Sequence, residues 1–338
     1  MPWGRAGVFG SNVQMQPQPN AAPSTKASQR DKLVARGVPV DFAAVEQLLR
    51  HGLTPGLDAK LAERFAHPTA VRAVSTRVAA LTAALIASGA RRGGICVVPA
   101  LASAATIEAI AAAGLKPWLV DVDPYSWMFD PAHLRERLGE APPPLEAIVP
   151  TCAFGRAPDM AAWAAFHIET GLPIVVDASE AFDVVMDAPV PVVVGLPGGR
   201  GSFVACEDAD FIARLDAPAF AGDAGLDGWS SQRLRLATAA QRLRMLLLGA
   251  PIGFQPGWGM SWVSDAWVVS LPEGAAPAVA AKLAAMGYAT NPVGPGPGAR
   301  DELPVADRLA KSVLSLPFHA DLGITELDEL AEAVRRAL

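Results

Sequence analysis

Between residues 95 and 206 the chain repeats one pattern: a short, almost unbroken apolar run, then a stretch with helical character. The runs are Ile95–Pro99, Trp118–Val122, Ala147–Thr151, Pro173–Asp177, Val190–Val194 and Ser202–Cys206. Helical stretches lie between the first four, at Ala104–Ala113, Pro131–Leu138 and Asp159–Thr170. Runs that are apolar throughout read as strands buried on both faces, and helices of this length between them read as right-handed crossovers. The pattern predicts an α/β protein: a three-layer α/β/α large domain around a mostly parallel sheet. The last two runs lie too close for a crossover helix, so one of that pair is expected to be antiparallel.

The flanks of this core read differently. Residues 1–30 are rich in Pro, Gln, Ser and Asn without a period and read as a mobile arm. Helical patterns follow at Phe42–His51, Leu57–Ala66 and residues 77–89, the last stopping at Gly89. After Asp227 come a long Arg- and Leu-rich helix at Ser231–Leu248, whose arginines and leucines share no single face, and a Gly/Pro-rich loop at Gly249–Gly259. A strand at Ala266–Leu271, a helix at Ala276–Met286, the loop Asn291–Gly298, a helix at Leu303–Ala310, a strand at Ser312–Leu316 and an amphipathic helix at Thr325–Leu338 complete a smaller α+β domain. The expected division is an arm over 1–30, a large domain over 31–225 and a small C-terminal domain over 226–338.

Composition narrows the functional classes. Half the residues are apolar (51%) and 18% are charged, which describes a globular rather than a disordered chain. A net charge of −6 argues against a nucleic-acid-coating protein or a polybasic membrane binder. No apolar stretch is long enough to span a bilayer, and the N-terminus lacks the apolar core of a signal peptide, so a cytoplasmic protein is expected. Cys96, Cys152 and Cys206 make neither a disulfide framework nor a zinc motif and are expected to be buried thiols. His51, His67, His133, His167 and His319 are scattered, without a triad or metal set. Lysine is rare: Lys26, Lys32, Lys60, Lys116, Lys282 and Lys311 are the full set.

Six phrases in order carry a family resemblance. Ala113-Gly114-Leu115-Lys116-Pro117 runs into Val120-Asp121-Val122-Asp123-Pro124; Phe154-Gly155 leads to Pro158-Asp159-Met160; and Leu303-Pro304-Val305-Ala306-Asp307-Arg308 precedes Leu314-Ser315-Leu316-Pro317. With Val74–Leu85, Val97–Thr106 and Gly171–Phe182, these resemble the DegT/DnrJ/StrS family of nucleotide-sugar aminotransferases over about residues 40–338. The resemblance implies the fold-type I architecture of pyridoxal-phosphate (PLP) enzymes, with a homodimer or a heterodimer with an active paralogue. It also implies that the segment around Phe42–Gly56 lies at the dimer contact.

The same resemblance exposes what the chain has changed. PLP chemistry needs an amine to hold the cofactor covalently and to move a proton. In the family a lysine precedes a Gly-rich stretch that stands here as Gly199-Arg200-Gly201-Ser202, and counting back places Val194 at its position. No lysine lies between Lys116 and Lys282, and no histidine between His167 and His319. The phosphate-binding Gly-Thr is replaced by Arg77-Val78, the stacking aromatic by Ser103, a substrate-proximal histidine by Cys152, and the partner-subunit motif by Ser230-Ser231-Gln232. Thr76 and Arg77 can be read as a new anion site or as a capped helix start with a surface arginine, and the second is favoured. Asp177 survives, where the family's aspartate meets the pyridine nitrogen, with Glu180 three residues on.

The resemblance therefore assigns no catalytic residue and no metal ligand. The candidate cofactor- or ligand-binding set is Asp177, Glu180, Ser103, Thr76 and Arg77, with no cofactor bound covalently and PLP held only non-covalently. The expected function is a non-catalytic homologue that binds a sugar-like molecule, with Asp177 as acceptor, or pairs with a paralogous subunit. The alternative is an active PLP-dependent nucleotide-sugar aminotransferase of cell-surface polysaccharide synthesis.

Overall fold

In the computed structural model of the chain, the described residues are 56–338, without Gly198, Arg200, Pro256, Met260, Asp265, 295–298 and Asp301. The expected arm over 1–30, the helix Phe42–His51, nearly all of the proposed dimer contact Phe42–Gly56, and Arg200 lie outside them. Pro55–Leu338 form one compact unit.

The first half builds strands β1 (Ala70–Val74), β2 (Ile95–Pro99), β3 (Lys116–Val120), β4 (Leu145–Ile148), β5 (Val176–Ala178), β6 (Val192–Gly195) and β7 (Ser202–Cys206). The helices between and after them are α1 (Leu57–Ala62), α2 (Arg77–Ala87), α3 (Ala104–Ala112), α4 (Pro131–Arg137), α5 (Met160–Thr170) and α6 (Ala209–Ala213). Strands β3, β2 and β4 pair in parallel, as do β5 and β6. Parallel bridges Ile148–Ile174 and Thr151–Asp177, with backbone bonds such as Asp177 N–H to Pro150 O at 2.8 Å, join β4 to β5. The order across the large sheet is therefore β3-β2-β4-β5-β6-β7-β1. Strand β7 is antiparallel to both β6 and β1, in line with the short β6–β7 connection. Strand β1 was not legible as a strand: it is five residues long, carries Arg72, and is only partly covered at alternate positions.

Alternation within each strand feeds two cores. Val97, Val176, Val192, Val194 and Phe203 face one side, with Trp163 and Phe166 of α5. Cys96, Val98, Val175, Val193 and Val204 face the other, with Leu81, Leu85, Ile107 and Ile110 of α2 and α3. This is the two-sided burial that the apolar runs demanded. All three cysteines are buried free thiols.

The second half contains α7 (Trp229–Leu246), β8 (Gly253–Phe254), β9 (Trp267–Ser270), α8 (Ala276–Ala285), β10 (Asn291–Pro292), β11 (Ala299–Arg300), α9 (Pro304–Ser312), β12 (Val313–Leu316) and α10 (Ile324–Ala337). Strands β10, β12, β9 and β8 form a small antiparallel sheet in that order. The large and small parts interlock more than a boundary at 225/226 suggests. Strand β11 pairs with β3 in the large sheet. Asp121, buried at the end of β3, accepts from Val305 N–H (2.8 Å) and Ala306 N–H (2.9 Å) at the start of α9. The domain division remains a proposal.

Candidate functional site

The strand ends converge on one buried carboxylate. Asp177 is the middle residue of β5 and is 1% exposed. Its Oδ1 accepts from the Ser179 hydroxyl at 2.6 Å and the Ser179 N–H at 3.2 Å. Its Oδ2 accepts from the Thr106 hydroxyl at 2.7 Å and from Nη2 of Arg77 at 2.8 Å. Arg77 Nη2 also donates to Thr106 Oγ1 at 3.2 Å. Burial alone would raise the Asp177 carboxyl, but Arg77, Ser179 and Thr106 together outweigh it and hold the group below the usual carboxylate range. Arg77, its guanidinium desolvated but facing Asp177, is pushed up in turn.

Local sequence explains the placement. Ser103 caps α3, accepting from Thr106 N–H at 3.2 Å, and its hydroxyl meets Thr106 Oγ1 at 3.0 Å. The Ser-x-x-Thr spacing thus aims the Thr106 hydroxyl at Asp177. Thr76 caps α2 by accepting from Ala79 N–H at 3.1 Å, and Arg77 is the first helical residue. At the end of β6, Gly195 lets the backbone pass so close that a Cβ there would lie 2.2 Å from Ser179 O.

Above this network lies a cleft with two lobes. The larger, about 730 Å³, is lined by Thr76, Ser179, Phe182, Trp229, Phe318 and His319 among others. The smaller, about 340 Å³, is lined by Ser103, Thr151, Cys152 and Phe154 among others. Arg77 and Glu180 line both, with Ala266, Asn291 and Ser315. Trp229 donates its indole N–H to Asp183 and packs edge-to-face on Phe182 at 5.1 Å, which fixes an aromatic wall. Cys152 is buried, and burial followed by the charges of Asp177 and Glu180 pushes its thiol well up, so it is neither a thiolate nor an activated nucleophile. No cluster that could hold a metal ion occurs among the described residues.

All five residues read from the sequence reach this region, but in different roles. Arg77 is not the surface arginine expected of a capped helix; it crosses to a partner one hundred positions away. Asp177 does not present an acceptor to the cleft, because both of its oxygens are engaged inside the protein. Thr76 and Ser103 spend their hydroxyls on helix caps, and Glu180 is exposed at the junction of the lobes. Thr106, Ser179 and the Phe182–Trp229 wall were missed. The Asp-x-Ser and Ser-x-x-Thr spacings are the signals that could have found the first two.

Residues 43–188 match the family model described as the DegT/DnrJ/EryC1/StrS aminotransferase family. The chain carries a DegT/DnrJ/EryC1/StrS aminotransferase family domain. A UDP-2-acetamido-2-deoxy-3-oxo-D-glucuronate aminotransferase of Pseudomonas aeruginosa is 30% identical over 146 residues, 41% of this chain and 40% of that protein. A pleiotropic regulatory protein of Geobacillus stearothermophilus is 36% identical over 102 residues, 30% of this chain and 27% of that protein. The matched stretch thus spans two fifths or less of these relatives. The fold is shared over a longer span. A DegT/DnrJ/EryC1/StrS aminotransferase of Brucella abortus superimposes with TM-score 0.67 at 21% identity, covering 92% of this chain and 97% of that one. The aminotransferase TlmJ of Streptoalloteichus hindustanus gives 0.71 at 21% identity, covering 89% and 96%.

The described residues around the cleft do not fit PLP. Val194, at the expected lysine position, lies inside β6 opposite Ala178 and Phe203, and its side chain is in the core at 2% exposure. Among the described residues lining the cleft there is no lysine. Ser103 offers no ring to stack on, Val78 no hydroxyl for a phosphate, and the carboxylate that would meet a pyridine nitrogen is closed by Arg77.

Proposed function

We propose that this chain is a non-catalytic member of the aminotransferase family that keeps the fold and uses the cleft to bind a polar, sugar-like ligand. One observation carries the reading: the described cleft lining holds no amine, and Val194 is turned into the core. Without an amine there is no covalent anchor for an aldehyde cofactor and no group to shuttle a proton at the reacting carbon. PLP, on this reading, is held at most non-covalently.

The lining favours a ligand of low net charge. Arg77 and Glu180 are the only Arg, Lys, Asp or Glu residues among the described lining, accompanied by His319, serines, Asn291 and an aromatic wall. Hydroxyls that both donate and accept match such a set, and aromatic faces match the C–H faces of a sugar ring. Glu180 and the outer edge of Arg77 replace Asp177 as the proposed contacts. A dimer, with itself or with an active paralogue, and a cytoplasmic location complete the proposal. No helix among the described residues is long and apolar enough to cross a membrane.

The alternative, an active nucleotide-sugar aminotransferase, draws on the alignment with the Pseudomonas aeruginosa enzyme. Both readings meet in one experiment: titration with PLP, visible absorption, borohydride reduction and mass analysis. The expected result is no pyridoxyl mass on any peptide. A stable pyridoxyl adduct within Pro55–Leu338 overturns the non-catalytic reading.

A further inference from the structure

Arg77 stands where elementary electrostatics would not put it. It is the first residue of α2, where the partial positive charge of the helix N-terminus disfavours a cation. Its Nε is buried without a hydrogen-bond partner, which costs free energy. The compensation is Asp177. That carboxylate is buried, its Oδ1 is filled by Ser179, and its Oδ2 keeps one position beside Thr106 for a further donor. A cation at that position stabilises the buried carboxylate by neutralising it. One guanidinium nitrogen, Nη2, is shared between Asp177 Oδ2 at 2.8 Å and Thr106 Oγ1 at 3.2 Å, so the position beside Thr106 is filled by a cationic N–H donor.

We infer that Asp177, Thr106 and Ser179 form a seat for a planar cation, and that Arg77 fills it as an internal ligand of the chain's own. The seat accepts guanidinium or amidinium as a class, and the native chain keeps them out by occupying it. The inference goes beyond the non-catalytic reading, since it concerns which groups reach Asp177 and not whether an amine exists elsewhere.

The test is chemical rescue. Arg77→Ala empties the seat while leaving Asp177 in place. Its thermal midpoint is followed in guanidinium chloride up to about 20 mM, far below the molar range that unfolds proteins, with sodium chloride at matched ionic strength as control. The expected result is a Tm lower than wild type that guanidinium raises by about 2–4 °C over the sodium control. Wild type and the double variant Arg77→Ala/Asp177→Asn show no such rise. Arg77→Gln, which keeps a neutral donor beside Asp177, is titrated in parallel and serves if Arg77→Ala does not fold; a smaller rise is expected. Equal responses in wild type and both single variants would overturn the inference. The guanidinium response reads the seat alone, whereas borohydride reduction of wild type reads the amine, so the two proposals fail separately.

Discussion

The guanidinium of Arg77 and the carboxylate of Asp177 meet at 2.8 Å across a hundred residues of chain, and the fold's central cleft is organised around that contact. The pair couples the start of α2 to the middle of β5, and Thr106 ties α3 to both. Three elements that the sheet topology brings to its carboxyl edge are thereby locked by one charge pair, at the place where open α/β sheets bind their ligands.

Removing the Thr106 hydroxyl tests this lock. Thr106 is fully buried, and Thr106→Val keeps its shape while leaving Asp177 Oδ2 with one donor fewer. A loss of about 1–3 kcal/mol in unfolding free energy is expected, read from urea denaturation with an unchanged m-value. A variant as stable as wild type would mean that the hydroxyl adds nothing to the seat.

The Asp177 carboxyl also leaves a signature in pH. Its folded-state pKa lies below the unfolded value of about 3.9. Its contribution is therefore fully present above that value and is lost as pH falls through the folded pKa. The stability gap between wild type and Asp177→Asn should be widest above about pH 5 and narrow steadily below about pH 4. A gap that does not narrow as the pH is taken below the unfolded-state value of about 3.9 would remove the ion pair as the source.

Strands β2 and β7 end where the apolar runs of the sequence end, because residues buried on both faces leave no polar position to blur the boundary. The edge strand β1 escaped, since only alternate positions of an edge are covered. Asp177 was visible as a motif residue, but its partner was not. Arg77 lies a hundred positions away, and no local period links a helix start to a strand middle. Glu180 and Ser103 were found by the same phrases, yet their roles depend on which hydroxyls are already spent, and only the assembled network shows that.

Gly195 permits a close approach that any side chain would block. A Cβ on it would stand 2.2 Å from Ser179 O, and Ser179 is the residue that satisfies Asp177 Oδ1. Gly195→Ala should therefore displace the loop after β5, lowering stability by about 1–3 kcal/mol and reducing the guanidinium response of Arg77→Ala in the combined variant. An unaltered Tm would show that the loop shifts at no cost.

A lysine placed at residue 194 should not revive cofactor chemistry. The Val194 side chain is buried in the core with Val176 and Phe203 and is not among the residues that line the cleft. Val194→Lys buries an ammonium there at a cost of about 3 kcal/mol or more. The expected outcome is a lower Tm, no pyridoxyl adduct after borohydride and no transamination. A reducible adduct on residue 194 would show that the β6 end can turn its side chain outward.

Glu180 lines the cleft, whereas Asp177 is buried with both oxygens engaged by Ser179, Thr106 and Arg77. A thermal-shift screen of neutral sugars, amino sugars and nucleotide sugars should therefore separate the two acids. For any sugar that stabilises wild type, Glu180→Gln is expected to weaken binding about tenfold or more, the range for a charge-assisted hydrogen bond. Nucleotide sugars should gain nothing over the neutral sugar they contain, because Arg77 is the only described lysine or arginine in the lining and it is already neutralised by Asp177. If Glu180→Gln binds as wild type does while Asp177→Asn, still folded, loses the ligand, the contact belongs to Asp177 after all. The network that closes its oxygens would then have to open on binding, and wild type would lose part of its Arg77–Asp177 pairing when the sugar is added.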